Sequence, residues 1–321
     1  MRFLPDFKGY DFFPHNTRLP FMRYKGVCFW GSVAAMVVSL ALFGIFGLNY
    51  GVDFKGGLLI EAQSKSGPAD ISALRSTLGK LGVGDVQIQS YGAEATDVLI
   101  RVEQQPGGEA EQQAALKKVT DALGSGYEQR RIEVVGPAVS SELRINGTLA
   151  VLASLLAIVI YVWFRFEWQF ALGCIIALAH DVLVTVGIFA LFQLEFDLSI
   201  VAALLTILGY SVNDSVVVAD RIRENLRKYK KMELIELLNL SINETLSRTI
   251  LTGVTTIAVL IALLMFGGDV IFNFTLAMLF GVLIGTYSSI FISAPLLGYI
   301  GVRRDWSGVP VKGKPAAASR A

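Results

Sequence analysis

Four ionisable residues stand within or at the edge of long apolar runs in this chain, and they are where chemistry should be sought first. Asp214 lies in SVNDSVVVADRIREN, six residues before Asp220, with Asn213 beside it. Arg248 opens another apolar run in SRTILTGVTT, and His180 and Asp181 are adjacent in ALAHDVLVTVG. A charge inside hydrocarbon is costly and is normally paired or turned to water. Six residues of helix place Asp214 roughly 9 Å from the end of its span, so Asp214 and Arg248 on consecutive antiparallel spans can reach similar depth. Such a pair would work as a proton switch, with Asp214 ionised when paired and protonated when the arginine withdraws. His180 titrates near neutral pH and Asp181 would tune it, which makes this couple a second candidate relay. Each residue also has a plainer reading. Polar groups commonly glue helices in bundles, and Arg248 could simply extend to the interface.

The elements that must hold these residues are membrane spans. The chain has 321 residues, 53% hydrophobic and only 17% charged, against about 25% charged in an ordinary soluble domain. A span needs about 20 mostly apolar residues, and six stretches qualify: 27–48, 146–164, 170–192, 198–219, 249–267 and 273–300. The first is too long for the apolar part of a signal peptide and runs straight into GLNYGVDFKGG, so it reads as a retained span. Positive charge stays on the cytoplasmic side. Five Lys/Arg precede span 1, six lie between Arg221 and Lys231, five follow Gly301, and none lies in 193–197 or 268–272. Residues 1–26 and 301–321 are therefore expected to be cytoplasmic segments, 49–145 a periplasmic domain, and 146–300 a bundle of five further spans interrupted by a cytoplasmic loop, 220–248. That loop alternates Leu234, Ile235, Leu237, Leu238 and Ile242 with Glu233, Glu236, Asn239 and Asn243, as in a helix lying on the membrane surface. Its basic head would meet anionic lipid or a cytoplasmic partner. The N-terminal stretch through Arg23 and the Pro/Ala-rich tail read as variable, disordered ends.

Residues 57–136 read as a compact α+β unit. GLLIEAQS, DVQIQSY, DVLIRVE and RIEVV are strand candidates, while DISALRSTLGKL, with Asp70 as N-cap, and EAEQQAALKKVTDAL are helices. The order βαββαβ is the ferredoxin-like motif. With no histidine, cysteine pair or carboxylate cluster, it reads as a binding or mechanical domain. Its edges are Gly51-Val52-Asp53-Phe54-Lys55-Gly56-Gly57 and Val135-Gly136-Pro137 followed by Ser140 and Ser141. Gly-Gly permits positive φ and close backbone approach. Gly-Pro breaks the last strand, and the serines can cap the helix that follows. Simple turns would explain both edges equally well. Gly281 and Gly285 form a GxxxG helix-packing signal in span 6.

Several functions are excluded. The net charge of +1 gives no field for nucleic acid, and the sequence has no GxxxxGK[ST] for nucleotide hydrolysis. Cys28 and Cys174 lie in apolar runs without CxxC spacing and read as inert thiols rather than a disulfide or metal site.

GVDFKGG after span 1, VGPAVSSEL before span 2 and LGYSVNDSVVVADRIREN in span 4, taken in that order over nearly the whole chain, resemble the SecF branch of the SecD/SecF family of protein-export membrane proteins. That family is part of the RND superfamily of proton-driven transporters. The resemblance implies a bacterial inner-membrane subunit, not an enzyme, that works with SecD as a separate chain, with the SecYEG translocon and with YajC and YidC. It implies that the proton-motive force moves the outside domains, which hold the translocating preprotein. The coupling ion is the proton, and no metal or other cofactor is implied. The family's intramembrane Asp and Arg fall on Asp214 and Arg248, with Asn213 in the same motif. Its first motif falls on Asp53, Phe54, Gly56 and Gly57, and the motif before span 2 falls on Gly136 and Pro137. Two other classes stay open: a small-molecule exporter subunit of the RND type, and a non-conducting scaffold of the translocon.

Overall fold

The computed structural model describes residues 18–91 and 95–302. After a helical turn at Phe21–Tyr24, the first long helix, α1, runs over Lys25–Phe46. A short strand β1 (Asn49–Tyr50) and a single helical turn α2 (Val52–Lys55) lead into the α+β unit. Its elements are β2 (Gly57–Ser64), α3 (Ile71–Gly79), β3 (Val86–Tyr91), β4 (Asp97–Val102), α4 (Glu109–Leu123) and β5 (Tyr127–Val135). Then come α5 (Pro137–Arg165), α6 (Trp168–Phe192), the short strand β6 (Glu195–Phe196), α7 (Leu198–Lys228), α8 (Leu234–Phe266), α9 (Phe272–Ser288), a π-helical turn (Ser289–Ser293) and α10 (Ala294–Ile300). Six helical stretches are long and apolar enough to cross a membrane, and this is a polytopic membrane protein.

The strands of the α+β unit form one antiparallel sheet in the order β3-β4-β2-β5. Alternation puts Leu58, Ile60, Ala62, Val98, Ile100 and Val102 on one face, where Leu74 and Leu78 of α3 and Ala115 and Val119 of α4 bury them. Asp70 caps α3 as its sequence suggests, accepting the Ala73 N–H at 2.9 Å. The other face carries Leu59, Glu61, Leu99 and Arg101, and it lies over the near end of the helical bundle across a cavity of about 640 Å³. Against that end β1 pairs in parallel with β6, joining the segment after the first span to the connection between the third and fourth.

In the bundle α7 is central and touches α5, α6, α8 and α9. The windows of the third, fourth and sixth spans are about half buried, while those of the first, second and fifth are mostly exposed. The glycines of the GxxxG lie against α7. A Cβ on Gly281 would come within 2.3 Å of the Ile207 side chain, and one on Gly285 within 3.1 Å of the Ser211 Cβ.

Three expectations fail for identifiable reasons. The amphipathic stretch after Glu233 does not lie apart on a surface. It is the first part of α8, continuous with the fifth span, and Leu237, Leu238 and Ile242 are buried against Val162, Phe170, Ile222 and Leu226. An amphipathic face looks the same whether lipid or protein covers it. Ser140 and Ser141 cap nothing. Gly136 is the N-cap and Pro137 the first helical residue, where the missing N–H costs little, and the two hydroxyls bond back to the carbonyls of Pro137 and Ala138. Residues 18–23 are held in place: Leu19 exchanges backbone bonds with the Asn243 amide at 2.8 and 3.0 Å, and Met22 is buried. The expected disorder of 1–17 and of the tail from 303 falls outside the described residues.

Candidate functional site

The motif after the first span is a peg between the α+β unit and the bundle. The Asp53 carboxylate accepts the N–H of Leu198, the first residue of α7, at 2.9 Å. A carboxylate at a helix N-terminus satisfies a free donor and meets the positive end of the helix dipole. Asp197, the N-cap itself, takes the Ile200 N–H at 3.1 Å. Phe54 is buried among Phe189, Phe196, Ile200, Val201 and Leu204. Gly147 of α5 lies beside its ring, where a Cβ would make an ordinary contact at 3.8 Å. The chain then turns through Gly56 (φ +75) and Gly57 (φ +121) into β2. A Cβ on Gly57 would lie 2.3 Å from the Val102 carbonyl oxygen, which only glycine avoids. Gly136 and Pro137 start α5 directly from the end of β5.

A second link crosses the same boundary. Arg101 of β4 pairs with Glu195 of β6 at 2.5 Å. Burial raises the Glu195 pKa, Arg101 opposes that rise, and Asp197 and Asp53 add to it. Arg131 of β5, with Glu133 and Glu61, completes a charged face over the bundle.

Deep in the bundle, Asp181 is wholly buried on α6. One of its oxygens lies 2.9 Å from His180 Nδ1. The other accepts from Ser211 Oγ of α7 at 2.5 Å and from Ser288 Oγ of α9 at 2.8 Å. His180 also stacks near Tyr287, whose hydroxyl donates to the Cys28 carbonyl of α1 at 2.9 Å. One carboxylate thus ties three spans together.

Asp214 sits three residues beyond Ser211 on α7 and is 2% exposed. Its only hydrogen bond among the described residues is a long one, from Asn213 Nδ2 at 3.5 Å. Its other oxygen is buried with no hydrogen-bond partner. Asn213 and Arg248 are exposed on the bundle surface. Among the described residues no ion pair joins Asp214 to Arg248. Sequence reasoning therefore finds both buried carboxylates, but not Ser211 and Ser288. Ser211 stands one helical turn before Asp214, the only sequence signal it offers. A polar set at the far end also escapes it: Arg221–Glu244 at 2.8 Å, Asn225–Glu244 at 2.6 Å and Asn225–Ser241 at 3.0 Å, which fasten α7 to α8.

The two carboxylates thus differ: both oxygens of Asp181 lie against polar side chains of its own and neighbouring helices, while Asp214 keeps one buried oxygen without a hydrogen-bond partner.

Known proteins agree with this architecture. Residues 115–303 match the family described as Protein export membrane protein SecD/SecF, C-terminal. Residues 41–67, which contain Gly56 and Gly57, match the SecD/SecF GG Motif. The Protein translocase subunit SecF of Rickettsia rickettsii (strain Sheila Smith) is 46% identical over 291 residues, 88% of this chain and 92% of its own length. That of Rhodobacter capsulatus is 45% identical over 306 residues, 91% of this chain and 92% of its own. A crystal structure of SecDF from a Thermus species, described as a translocon-associated membrane protein, superposes with a TM-score of 0.79 at 35% identity. The match takes in 89% of this chain and 39% of that one, so this chain spans well under half of the solved protein. SecDF in its super-membrane-facing form gives a TM-score of 0.65 at 36% identity. The chain belongs to the SecD/SecF family of protein-export membrane proteins.

Proposed function

We propose that this chain is the SecF-type subunit of the Sec protein translocase, an accessory and not an enzyme, and that it uses the proton-motive force to assist preprotein export. The observation that carries the proton part is Asp214: a buried carboxylate on the central helix with one oxygen unpartnered. A proton crossing 100 mV yields about 2.3 kcal/mol, and uptake and release at such a group would alternately remove and create a charge inside the bundle. Arg248 on the adjoining helix, although exposed here, is the countercharge available when α7 and α8 shift. Asn213 and the His180–Asp181 couple stand next to this path.

The partner is a SecD-type chain supplying the other half of the assembly. The exposed apolar faces of α1, α5 and α8 offer surface for it and for membrane lipid. SecYEG, YajC and YidC are the further partners, and the preprotein is the cargo. We place the protein in the bacterial inner membrane with both termini cytoplasmic and residues 49–145 periplasmic. The periplasmic unit is a ferredoxin-like domain: its βαββαβ order and the strand order β3-β4-β2-β5 support that reading. The peg at Asp53 and Phe54 and the pair Arg101–Glu195 would carry motion from α7 to this domain. The test is export by the reconstituted complex with and without a proton gradient, wild type against Asp214→Asn. An equal response of both to the gradient would reject the proton reading.

A further inference from the structure

Asp181 reaches α7 one helical turn before Asp214, yet the surroundings of the two carboxylates are opposite. Asp181 accepts two serine hydroxyls on one oxygen and faces the His180 Nδ1 with the other. Ser288 also lies 3.1 Å from the Gly285 carbonyl, the ordinary helix alternative, and turns its oxygen to the carboxylate as well. Asp181 is thus held by side chains of α6, α7 and α9 together, whereas Asp214 keeps an unpartnered oxygen.

The backbones are brought together for this contact. Gly281 lies against Ile207 and Gly285 against Ser211, so two glycines one turn apart meet two α7 residues one turn apart. Ser211 precedes Asp214 by three residues, about 4.5 Å of rise and about 60° around the helix. Fixing Ser211 therefore fixes both the depth of Asp214 and the side it faces: Asp214 points inward while its neighbour Asn213 is exposed. Just beyond Ser288 the regular helix yields to the π turn Ser289–Ser293, a rare form that is frequent at functional sites.

We propose that Asp181 is a positioning residue for Asp214: through Ser211, and with Ser288 as its anchor on α9, it sets the rotation and depth of the helix that carries Asp214. The proposal rests on the reading of Asp214 as the proton-carrying group. It assigns no proton transfer to Asp181. Among the described residues, the other ionisable groups tied to the two carboxylates are His180 on α6, Tyr287 on α9, which stands against His180, and Arg248 on α8, and all are kept in the test.

The test uses the full chain assembled with its SecD-type partner in lipid nanodiscs. A carbodiimide that reacts with protonated buried carboxyls is applied across a pH series, and labelling of Asp214 is read by peptide mass spectrometry. Asp181→Asn and Ser211→Ala should each move the half-labelling pH of Asp214 by about one unit, tenfold in proton affinity. Thr185→Val, which removes a buried hydroxyl whose one hydrogen bond among the described residues is to the Asp181 backbone carbonyl, should leave that midpoint in place even if it lowers the melting temperature. Ser211→Ala decides the matter alone if Asp181→Asn fails to insert. Unchanged midpoints in variants that insert and melt cooperatively would overturn the positioning role and leave Asp181 as interhelical glue. Labelling of wild-type Asp214 that does not vary with pH would remove the parent reading and this one together, and it is recognised in the wild type alone.

Discussion

Arg101 and Glu195 form a 2.5 Å ion pair, with their side chains only 16% and 21% exposed, across the boundary between the sheet and the bundle. Arg101 belongs to β4 and Glu195 to the short strand between α6 and α7, which immediately precedes the central helix. Together with Asp53 on the Leu198 N–H, this places two side-chain contacts at the root of α7. A shift of α7 along its axis must therefore pull on the α+β unit or break one of them.

Removing one member of the pair should cost more than removing both. Arg101→Ala leaves Glu195 part-buried without its countercharge, the costly case for buried pairs. Spin labels on Lys80 in the domain and Phe266 at the end of α8, both exposed, should report a broadened distance distribution in Arg101→Ala. The double variant Arg101→Ala/Glu195→Gln should broaden it less. Equal distributions in all three proteins would mean that the pair does not hold the domain.

The same pair makes domain docking depend on pH. Burial raises the Glu195 pKa above its ordinary value of 4.5 in spite of Arg101. A carboxyl with a raised value binds more protons when docked than when free. Docking is therefore favoured as pH falls through that raised value towards 4.5, constant below it, and weakened as pH rises again. The spin-label distribution should narrow on acidification in the wild type, and Glu195→Gln should abolish the response. A distribution that broadens on acidification would show that the ion pair outweighs burial.

Gly57→Ala should be among the most damaging single changes in the chain. Its φ of +121 and the Val102 carbonyl 2.3 Å from a would-be Cβ combine strain with a backbone clash, for which about 1–3 kcal/mol is the usual cost of the strained backbone alone. Gly56→Ala should be milder, because the atom met there is the end of the flexible Gln104 side chain. Limited proteolysis of the domain in intact membranes would rank them, and equal protection would count against this geometry.

Phe54→Ala should loosen the peg by about 3–5 kcal/mol, the range for emptying a packed aromatic site. Asp53→Asn, which keeps an acceptor for the Leu198 N–H, should cost about 1 kcal/mol or less. Thermal melting of the detergent-purified protein would distinguish them. If Asp53→Asn proved the worse, the carboxylate charge and not the cap would be the important feature.

Much of this is legible in the sequence because it rests on local pattern. The six apolar runs need only length and composition. Asp70 as a cap and the alternation of Val98, Ile100 and Val102 need only neighbours in the chain. Asp214 and Asp181 stand out because a carboxylate in an apolar run is rare. What cannot be read depends on what packs against what. The face of Leu237, Leu238 and Ile242 suits lipid and protein alike, and only the fold shows Ile222 and Phe170 covering it. Ser211 and Ser288 are common residues in helices, and nothing local marks them as the two that reach Asp181. The pairing of β1 with β6 joins distant parts of the chain through two-residue strands, too short to carry a pattern.

The most direct measurement is proton-gradient-dependent export by proteoliposomes holding the translocon, the SecD-type partner and this chain, wild type against Asp214→Asn, with correct insertion of both verified. With Asp214→Asn the increase in export on imposing a gradient should disappear while gradient-independent export continues. An undiminished gradient response in Asp214→Asn would contradict the assignment of Asp214 as the group through which this subunit is driven.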